Sequence, residues 1–410
     1  LHSFAKTLLE KPATAKRDTP ISQLPDTLRK ALEDAIRVNV RAWVVSRLNR
    51  ELQRCYGSKI TELASEFHAE ESFRIEISED NPYWEMHLTS TKNKLQVKKF
   101  EFDLSSLTIT SRISRGLLRQ LLAKPTEKIE RDELSYYLFN EIVENILANM
   151  FAAVLPDSYY LPAARSGFLQ SHRQLASSVM RISPLVGIER LEIPRLPGVI
   201  TDFISTLLTL TKDSKTGLYK VGRFLEREIL HGVVDMQEQK TEYPEIFYKP
   251  HKRKFPIHRT SSMVSELAPV ILFTKYVAQP ADFLIIEEPE SHLHPQSQRQ
   301  LARAIVKLIR AGAKILITTH SDYFVHQLNN FLMMGKVPKQ GRSEQGYSVD
   351  DYLKVDEVAA YLFDLNLETG ASIVKDLVVS VEEGISEENF AMVYEALHHE
   401  SVYLQRKLPL

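Results

Sequence analysis

Residues 282–295 read Asp-Phe-Leu-Ile-Ile-Glu-Glu-Pro-Glu-Ser-His-Leu-His-Pro, and no other run constrains the fold as strongly. The apolar stretch Phe283, Leu284, Ile285, Ile286 ends abruptly in two acids, Glu287 and Glu288. That pattern suits a buried central strand of a parallel sheet, which delivers its carboxylates to the carboxyl edge where open α/β sheets bind ligands. Further on, Lys314-Ile315-Leu316-Ile317-Thr318-Thr319-His320-Ser321 repeats the design, a second buried strand with a polar tip. The segment between them is helical: Leu301, Ile305 and Leu308 mark one face, and Gly312 stops the helix. Two strands with charged tips joined by one helix make a βαβ unit.

The same residues carry a family resemblance. Ile285-Ile286-Glu287-Glu288 resembles a Walker B motif, Ser291-His292-Leu293-His294-Pro295 a D-loop, and Thr319-His320-Ser321 a switch histidine. Upstream, Thr260-Ser261-Ser262-Met263-Val264-Ser265-Glu266-Leu267 resembles a signature segment. In order and spacing, residues 255–325 resemble the ABC-type ATPase heads of the SMC and OLD-like branch. The resemblance implies an α/β P-loop NTPase head, a mixed sheet flanked by helices, with ATP and Mg²⁺ as its ligands. The chain departs from the family where Glu287 replaces the usual Asp, where no glycine follows the signature serines, and where no Walker A loop is found.

A Walker A loop needs Gly-x-x-x-x-Gly-Lys followed by Ser or Thr, for the anion nest, the phosphates and the metal. Gly217 and Gly222 have the glycine spacing, but Arg223 and Phe224 follow them, so the pair reads as chance. Leu1, Phe4, Ala5 and Leu8 already share one helical face, and no cap precedes them. The expectation is that a strand and a P-loop lie upstream of Leu1.

The 410 residues suffice for two or three lobes. The net charge of −1 gives no global basic field for nucleic acid, although His251-Lys252-Arg253-Lys254 makes a local basic run. One cysteine, Cys55, excludes an internal disulfide framework, and a cytoplasmic setting is expected. No apolar run approaches a membrane span.

Along the chain, residues 26–56 read as a long helix and about 70–110 as an antiparallel β arm, with Ile75 and Ile77, then Trp84, Met86 and Leu88, alternating with polar residues. A helix is expected at 133–152 and a short strand at 158–161. Residues 168–232 read as mostly helical, followed by a hairpin through Val233 and Phe247. The expected division is an amino-terminal part of the head at 1–167, a compact helical lid at 168–250 without coiled-coil heptads, and a carboxy-terminal part at 251–410. Residues 336–348 read as a mobile loop, 266–278 as a helix, and 386–407 as a terminal helix capped by Ser386.

The resemblance assigns tasks residue by residue. Glu287 holds the Mg²⁺ shell, Glu288 orients or deprotonates the attacking water, and His320 senses the γ-phosphate. Ser261, Ser262 and Glu266 belong to the segment that meets ATP held by a second subunit; Ser291 and His294 belong to the D-loop at that contact. Independently of the resemblance, a helix amino terminus after Ser261 and Ser262 is an anion site, and an ordinary N-cap is the alternative. Arg165, in a small-residue loop before Gly167, is a candidate for phosphate or partner contact, or for anchoring the lid. A rival reading takes His292, His294, Glu287, Glu290 and His320 as a metal-hydrolase cluster.

The resemblance implies a slow, regulatory ATPase that forms a homodimer or higher homo-oligomer on ATP. It extends to stand-alone OLD-like heads of bacterial anti-phage systems such as the PARIS type, where a separate nuclease or toxin is held until a phage trigger arrives. Repair-type or DNA-clamping SMC-like ATPases are the alternative, with the basic run gripping duplex.

Overall fold

The computed structural model describes residues 19–20, 22, 26–56, 74–80, 83–90, 95–103, 108–109, 143, 157–170, 196–237 and 244–408. The chain divides into two compact units, Leu1–Pro156 and Asp157–Leu410. The expected helix at 133–152 and the amphipathic start at Leu1 lie outside the described residues, apart from helical Val143.

In the first unit, α1 (Asp26–Tyr56) places Leu32, Ile36, Val40 and Val44 four residues apart on one face, all buried. The arm is a three-stranded antiparallel sheet, β1 (Arg74–Asp80), β2 (Tyr83–Ser90) and β3 (Leu95–Phe102), as the alternation predicts. Trp84, Met86 and Leu88 point to one face of β2 and pack with Phe100 and the apolar face of α1. The Arg37 guanidinium donates to the Phe100 carbonyl at 3.0 Å and lies 4.9 Å from the Phe102 ring centre.

The second unit opens with β4 (Ser158–Leu161), followed after a turn by a helical stretch from Arg165. Next come α2 (Gly198–Leu208) and α3 (Tyr219–Leu225), which continues as a single π turn, Glu226–Leu230, ending at left-handed His231. A hairpin, β5 (Val233–Gln237) and β6 (Glu245–Lys249), leads to α4 (Ser262–Tyr276). Then follow β7 (Phe283–Glu287), α5 (Pro295–Arg310), β8 (Lys314–Thr318) and α6 (Asp322–Met334). A short helix α7 (Lys339–Glu344), the hairpin β9 (Ala360–Leu365) and β10 (Ser372–Leu377), and α8 (Glu388–Gln405) complete the chain order.

The central sheet is parallel, in the order β8-β7-β4, with Glu287 opposite Thr318 and Ile286 opposite Leu161. Leu284 and Ile286 of β7 join one core with Leu161, Phe203, Leu267, Ile271 and Ile305. That core includes residues from 198–234 as well as from the motif-bearing half. β7 is the buried centre that the apolar run predicts. β8 differs from expectation: it is an edge of this sheet among the described residues, and Leu316 is 47% exposed. An apolar run alone does not distinguish an edge from a centre.

Local chemistry explains the helix ends. Pro295 occupies the first position of α5, and the His294 ring nitrogen Nδ1 accepts from the Gln296 amide at 3.3 Å. At the other end Gly312 adopts φ +96°, with its amide on the Ile309 carbonyl and the Ala313 amide on the Leu308 carbonyl, a complete Schellman closure. Gly222 is not part of a phosphate loop. It lies within α3, and a Cβ there would meet Lys275 Cγ at 2.5 Å, so glycine permits the close crossing of α3 and α4.

Three boundaries depart from the sequence reading. α4 begins one turn earlier than expected, at Ser262, because the Ser265 hydroxyl donates back to the Ser261 and Ser262 carbonyls and joins these polar residues to the helix. α8 has Glu387 at its N-cap position instead of Ser386. Residues 336–348, expected as a mobile loop, contain α7. There the buried Arg342 guanidinium donates to the Val337 and Val349 carbonyls at 3.0 and 2.6 Å, cross-linking a stretch whose composition looks flexible. No helix among the described residues is long and apolar enough to cross a membrane.

Asp351 anchors this region to α5. It is fully buried and pairs with Arg303 at 2.6 Å and Lys307 at 2.7 Å. Burial alone would raise its carboxyl pKa; hydrogen bonds from Lys307, Ser348 and Arg303 outweigh burial and hold it below the usual range. Its stabilisation is therefore present above the unfolded carboxyl pKa and is lost as pH falls through the lowered folded value. The expected result for Asp351→Asn is a loss of about 2 kcal/mol at neutral pH, read by chemical denaturation, since the partly exposed Arg303 and Lys307 lose charge-assisted bonds to a buried carboxylate.

Candidate functional site

The site forms where β7 and β8 end side by side. After Ile286 the backbone must turn, and Glu288 takes φ +38°, a left-handed conformation that costs a non-glycine residue roughly 1–3 kcal/mol. Three sets of bonds hold it. The Glu288 amide donates to the Thr318 carbonyl at 2.9 Å and lies 3.3 Å from the Thr318 hydroxyl. The Ser291 amide donates to the Glu288 carbonyl at 3.0 Å, closing the turn. The Ser291 hydroxyl donates to Glu288 Oε2 at 2.9 Å, fixing the carboxylate itself.

Its neighbour points to the other side, as alternation along a strand requires. Glu287 Oε2 accepts from the Ala163 amide at 3.3 Å, and the Tyr160 phenol hydrogen-bonds the same carboxylate. Burial, then the bond to Glu287, pushes the Tyr160 pKa up. The consecutive acids therefore have separate partners and separate surroundings.

His320 is exposed just beyond the end of β8. Its backbone amide donates to Glu290 Oε1 at 3.1 Å, and the Thr319 hydroxyl donates to the same oxygen at 2.6 Å. Glu290 thus ties the loop after β7 to the loop after β8, while its Oε2 is buried without a hydrogen-bond partner among the described residues. Thr318, Thr319 and Glu290 are parts of the site that the sequence reading leaves without a structural task. Their signal is positional: each sits within three residues of a motif residue, on a strand tip that must turn.

Ser261 and Ser262 lie exposed at the start of α4. Ser261 is the N-cap by position, yet its side chain makes no capping bond. No hydrogen bond links either hydroxyl to the carboxylate group among the described residues. His294 is exposed and engaged as the cap of α5, and His292 is left-handed and exposed.

Two expected contact residues are instead interior. Arg165 is 0% exposed and Glu266 is 1% exposed, and they face each other, Arg165 Nε to Glu266 Oε2 at 3.3 Å. The reason is the earlier start of α4, which puts Glu266 inside its second turn and turns it toward the sheet. Neither side chain is available to a nucleotide or to a second subunit in this arrangement.

Arg165 is nevertheless central. Burial works against its charge, while the carboxylates of Glu266, Glu290, Glu288 and Glu287 support it. Glu266 is the carboxylate in direct contact with it, while Glu287 and Glu288 meet it through their backbone carbonyls and keep their carboxylates for other partners. Among the described residues no three His, Cys, Asp or Glu side chains converge as a metal cage. Mg²⁺ is usually held by one or two carboxylates together with substrate phosphates, so a pair of strand-end acids fits it and a histidine cluster is not required.

The AAA ATPase domain family model matches residues 187–325, which contain the signature-like segment, both strand tips and the loop between them. The histidine/lysine/arginine/ornithine transport ATP-binding protein HisP of Salmonella typhimurium is 25% identical over 95 residues, 22% of this chain and 35% of that protein. The chain thus spans about a third of the length of this curated relative. A solved SMC head bound to the C-winged helix domain of ScpA aligns with 75% of this chain and 74% of its own, at 12% identity and a TM-score of 0.33. An Smc head with an extended coiled coil, bound to the C-terminal domain of ScpA from Pyrococcus furiosus, aligns over 78% and 76%, at 13% identity and a TM-score of 0.28. The second unit is a mixed α/β fold with a parallel sheet, and residues 187–325 within it are similar to the AAA ATPase domain. A 95-residue part of the chain is also similar to a transport ATP-binding protein, which is the more particular likeness.

Proposed function

We propose that this protein is a slow, Mg²⁺-dependent ATPase that associates head to tail on ATP and thereby controls a separate effector protein. The observation that carries the catalytic part is the strand end itself. Two adjacent carboxylates are held apart, one aimed by Ser291 and one beside β4, next to a histidine positioned by Glu290. Glu288 is the residue for orienting or deprotonating water, Glu287 for the metal shell, and His320 for the γ-phosphate side. Bound Mg²⁺ would neutralise charge on the phosphates. Catalysis then rests on positioning and electrostatics, as phosphoryl transfer requires.

The free hydroxyls of Ser261 and Ser262, at the positive end of a 15-residue helix, support a phosphate contact from a second subunit. Because Ser261 caps nothing through its side chain, Ser261→Ala should change stability by no more than about 0.5 kcal/mol. The same variant should weaken ATP-driven association measurably, read by light scattering with and without nucleotide. Equal association would return the serine to a structural part.

Effector control in bacterial anti-phage defence is supported by the resemblance of the motif run to stand-alone OLD-like heads. A protein partner also suits the exposed apolar residues of the C-terminal hairpin and helix, among them Phe363, Val374, Met392 and Leu397. The deciding experiment is affinity capture of the Glu288→Gln protein with ATP and Mg²⁺. A second protein in stoichiometric amount supports effector control. Recovery of nuclease-sensitive DNA supports the DNA-clamping alternative, which the exposed run His251–Lys254 at the turn after β6 favours.

A further inference from the structure

The geometry assigns Arg165 a positioning role: it fixes the aim of Glu288 and locks that aim to the first turns of α4. This inference rests on the ATPase reading for its catalytic consequence, but not for its structural content.

Among the described residues, the guanidinium's hydrogen bonds all run to backbone carbonyls. Nη1 donates to the Pro162 carbonyl at 2.9 Å and the Glu287 carbonyl at 2.6 Å. Nη2 donates to the Glu288 carbonyl at 3.1 Å. Nε donates to the Glu266 carbonyl at 3.1 Å. One planar fork thus joins the end of β4, the end of β7 and the second turn of α4. Glu266 completes the joint from its side, with Oε1 accepting from the Ser166 amide at 3.1 Å.

The consequence follows from where those carbonyls sit. Glu287 and Glu288 are the residues between which the strand leaves extended geometry, and Glu288 is left-handed. A peptide with its carbonyl held by a buried cation cannot rotate freely, so the Glu288 side chain leaves the backbone in one direction. Ser291 then meets the carboxylate where that direction delivers it. On the other arm, Glu266 lies four residues after Ser262. A pull on the start of α4 therefore reaches the Glu288 peptide through a single side chain, without passing through the apolar core.

Lysine is not a substitute, because an ammonium cannot span a fork of separated carbonyls. Arg165→Lys keeps the charge beside Glu266 and removes the fork, which makes it the informative variant. Arg165→Gln with Glu266→Gln removes both buried charges together and serves if the lysine variant does not fold.

Two measurements are made on the full-length protein. Amide hydrogen exchange over residues 287–291, without nucleotide, should accelerate by about tenfold or more while exchange in α5 stays at the wild-type rate. ATP turnover should fall by about tenfold or more with nucleotide affinity altered less than about threefold, the split expected when a reacting group is misaimed. Unchanged exchange at 287–291 overturns the proposal. A parallel loss of affinity and turnover also overturns it, by showing general damage. If wild type hydrolyses no ATP while exchange responds as described, the positioning role stands and the ATPase reading is what fails.

Discussion

Glu288→Gln should bind ATP as tightly as wild type, accumulate as the ATP-bound associated form, and turn over at least about 100-fold more slowly, the range for loss of a residue that accepts or orients the transferred proton. The substitution is nearly isosteric. The Ser291 hydroxyl still finds an acceptor, since an amide oxygen replaces Oε2, and the backbone contacts to Thr318 and Arg165 do not involve the side chain. Fold and phosphate contacts are therefore retained while the carboxylate's basicity is lost. Single-turnover kinetics with labelled ATP, combined with size analysis in ATP and Mg²⁺, reads both halves. An unchanged hydrolysis rate would remove Glu288 from the chemistry and leave Ser291 holding an ordinary turn. Glu287→Gln makes a useful contrast, because its carboxylate faces Ala163 and Tyr160 and its loss should appear as a raised Mg²⁺ requirement.

The acids and the histidine are legible in the sequence because their information is local. A short apolar run followed by Glu-Glu-Pro can end a buried strand in few other ways, and the register Glu287 opposite Thr318 places the two tips together. The helix between them announces itself through Pro295 and Gly312, residues whose backbone limits are written in their side chains. Arg165 shows what local reading misses. Its partners lie 101, 122 and 123 positions away, and no spacing rule links a small-residue loop to the interior of a distant helix. An arginine in such a loop reads as a phosphate or partner contact, or as a lid anchor, and only packing shows that its fork ends on interior backbone carbonyls. The 336–348 stretch fails for the same reason in reverse: glycine, lysine and glutamine suggest mobility, and one buried arginine restrains them. Long-range polar contacts are thus the part of this fold that sequence periodicity does not carry.

A second such contact yields the largest expected effect on stability. Lys275 of α4 and Glu226 at the start of the π turn are each 2% exposed and lie 2.9 Å apart. Lys275 also donates to the Val234 carbonyl at 3.0 Å, Glu226 accepts from the Val234 amide at 2.9 Å, and Arg223 reaches the other carboxylate oxygen at 2.5 Å. The pair therefore fastens α3, β5 and α4 at one point. Lys275→Met should cost about 3–5 kcal/mol, because it leaves a carboxylate in the interior without its buried counter-ion. Adding Glu226→Gln should recover most of that loss. The amide oxygen still accepts from Val234, its NH₂ group takes over the Val234 carbonyl, and Arg223, being half exposed, turns to water. Replacing both charges is close to neutral in buried pairs where removing one is not. Denaturation midpoints of the two single variants and the double variant supply the cycle, with a coupling of about 2 kcal/mol or more expected for groups in direct contact. Additive losses would mean that the two charges are solvated separately and that the π turn is held by its apolar residues Ile229 and Leu230 alone. A strong coupling would identify the Lys275–Glu226 contact as the joint that keeps α4, and with it Ser262 and Glu266, in register with the strand end that Glu288 occupies.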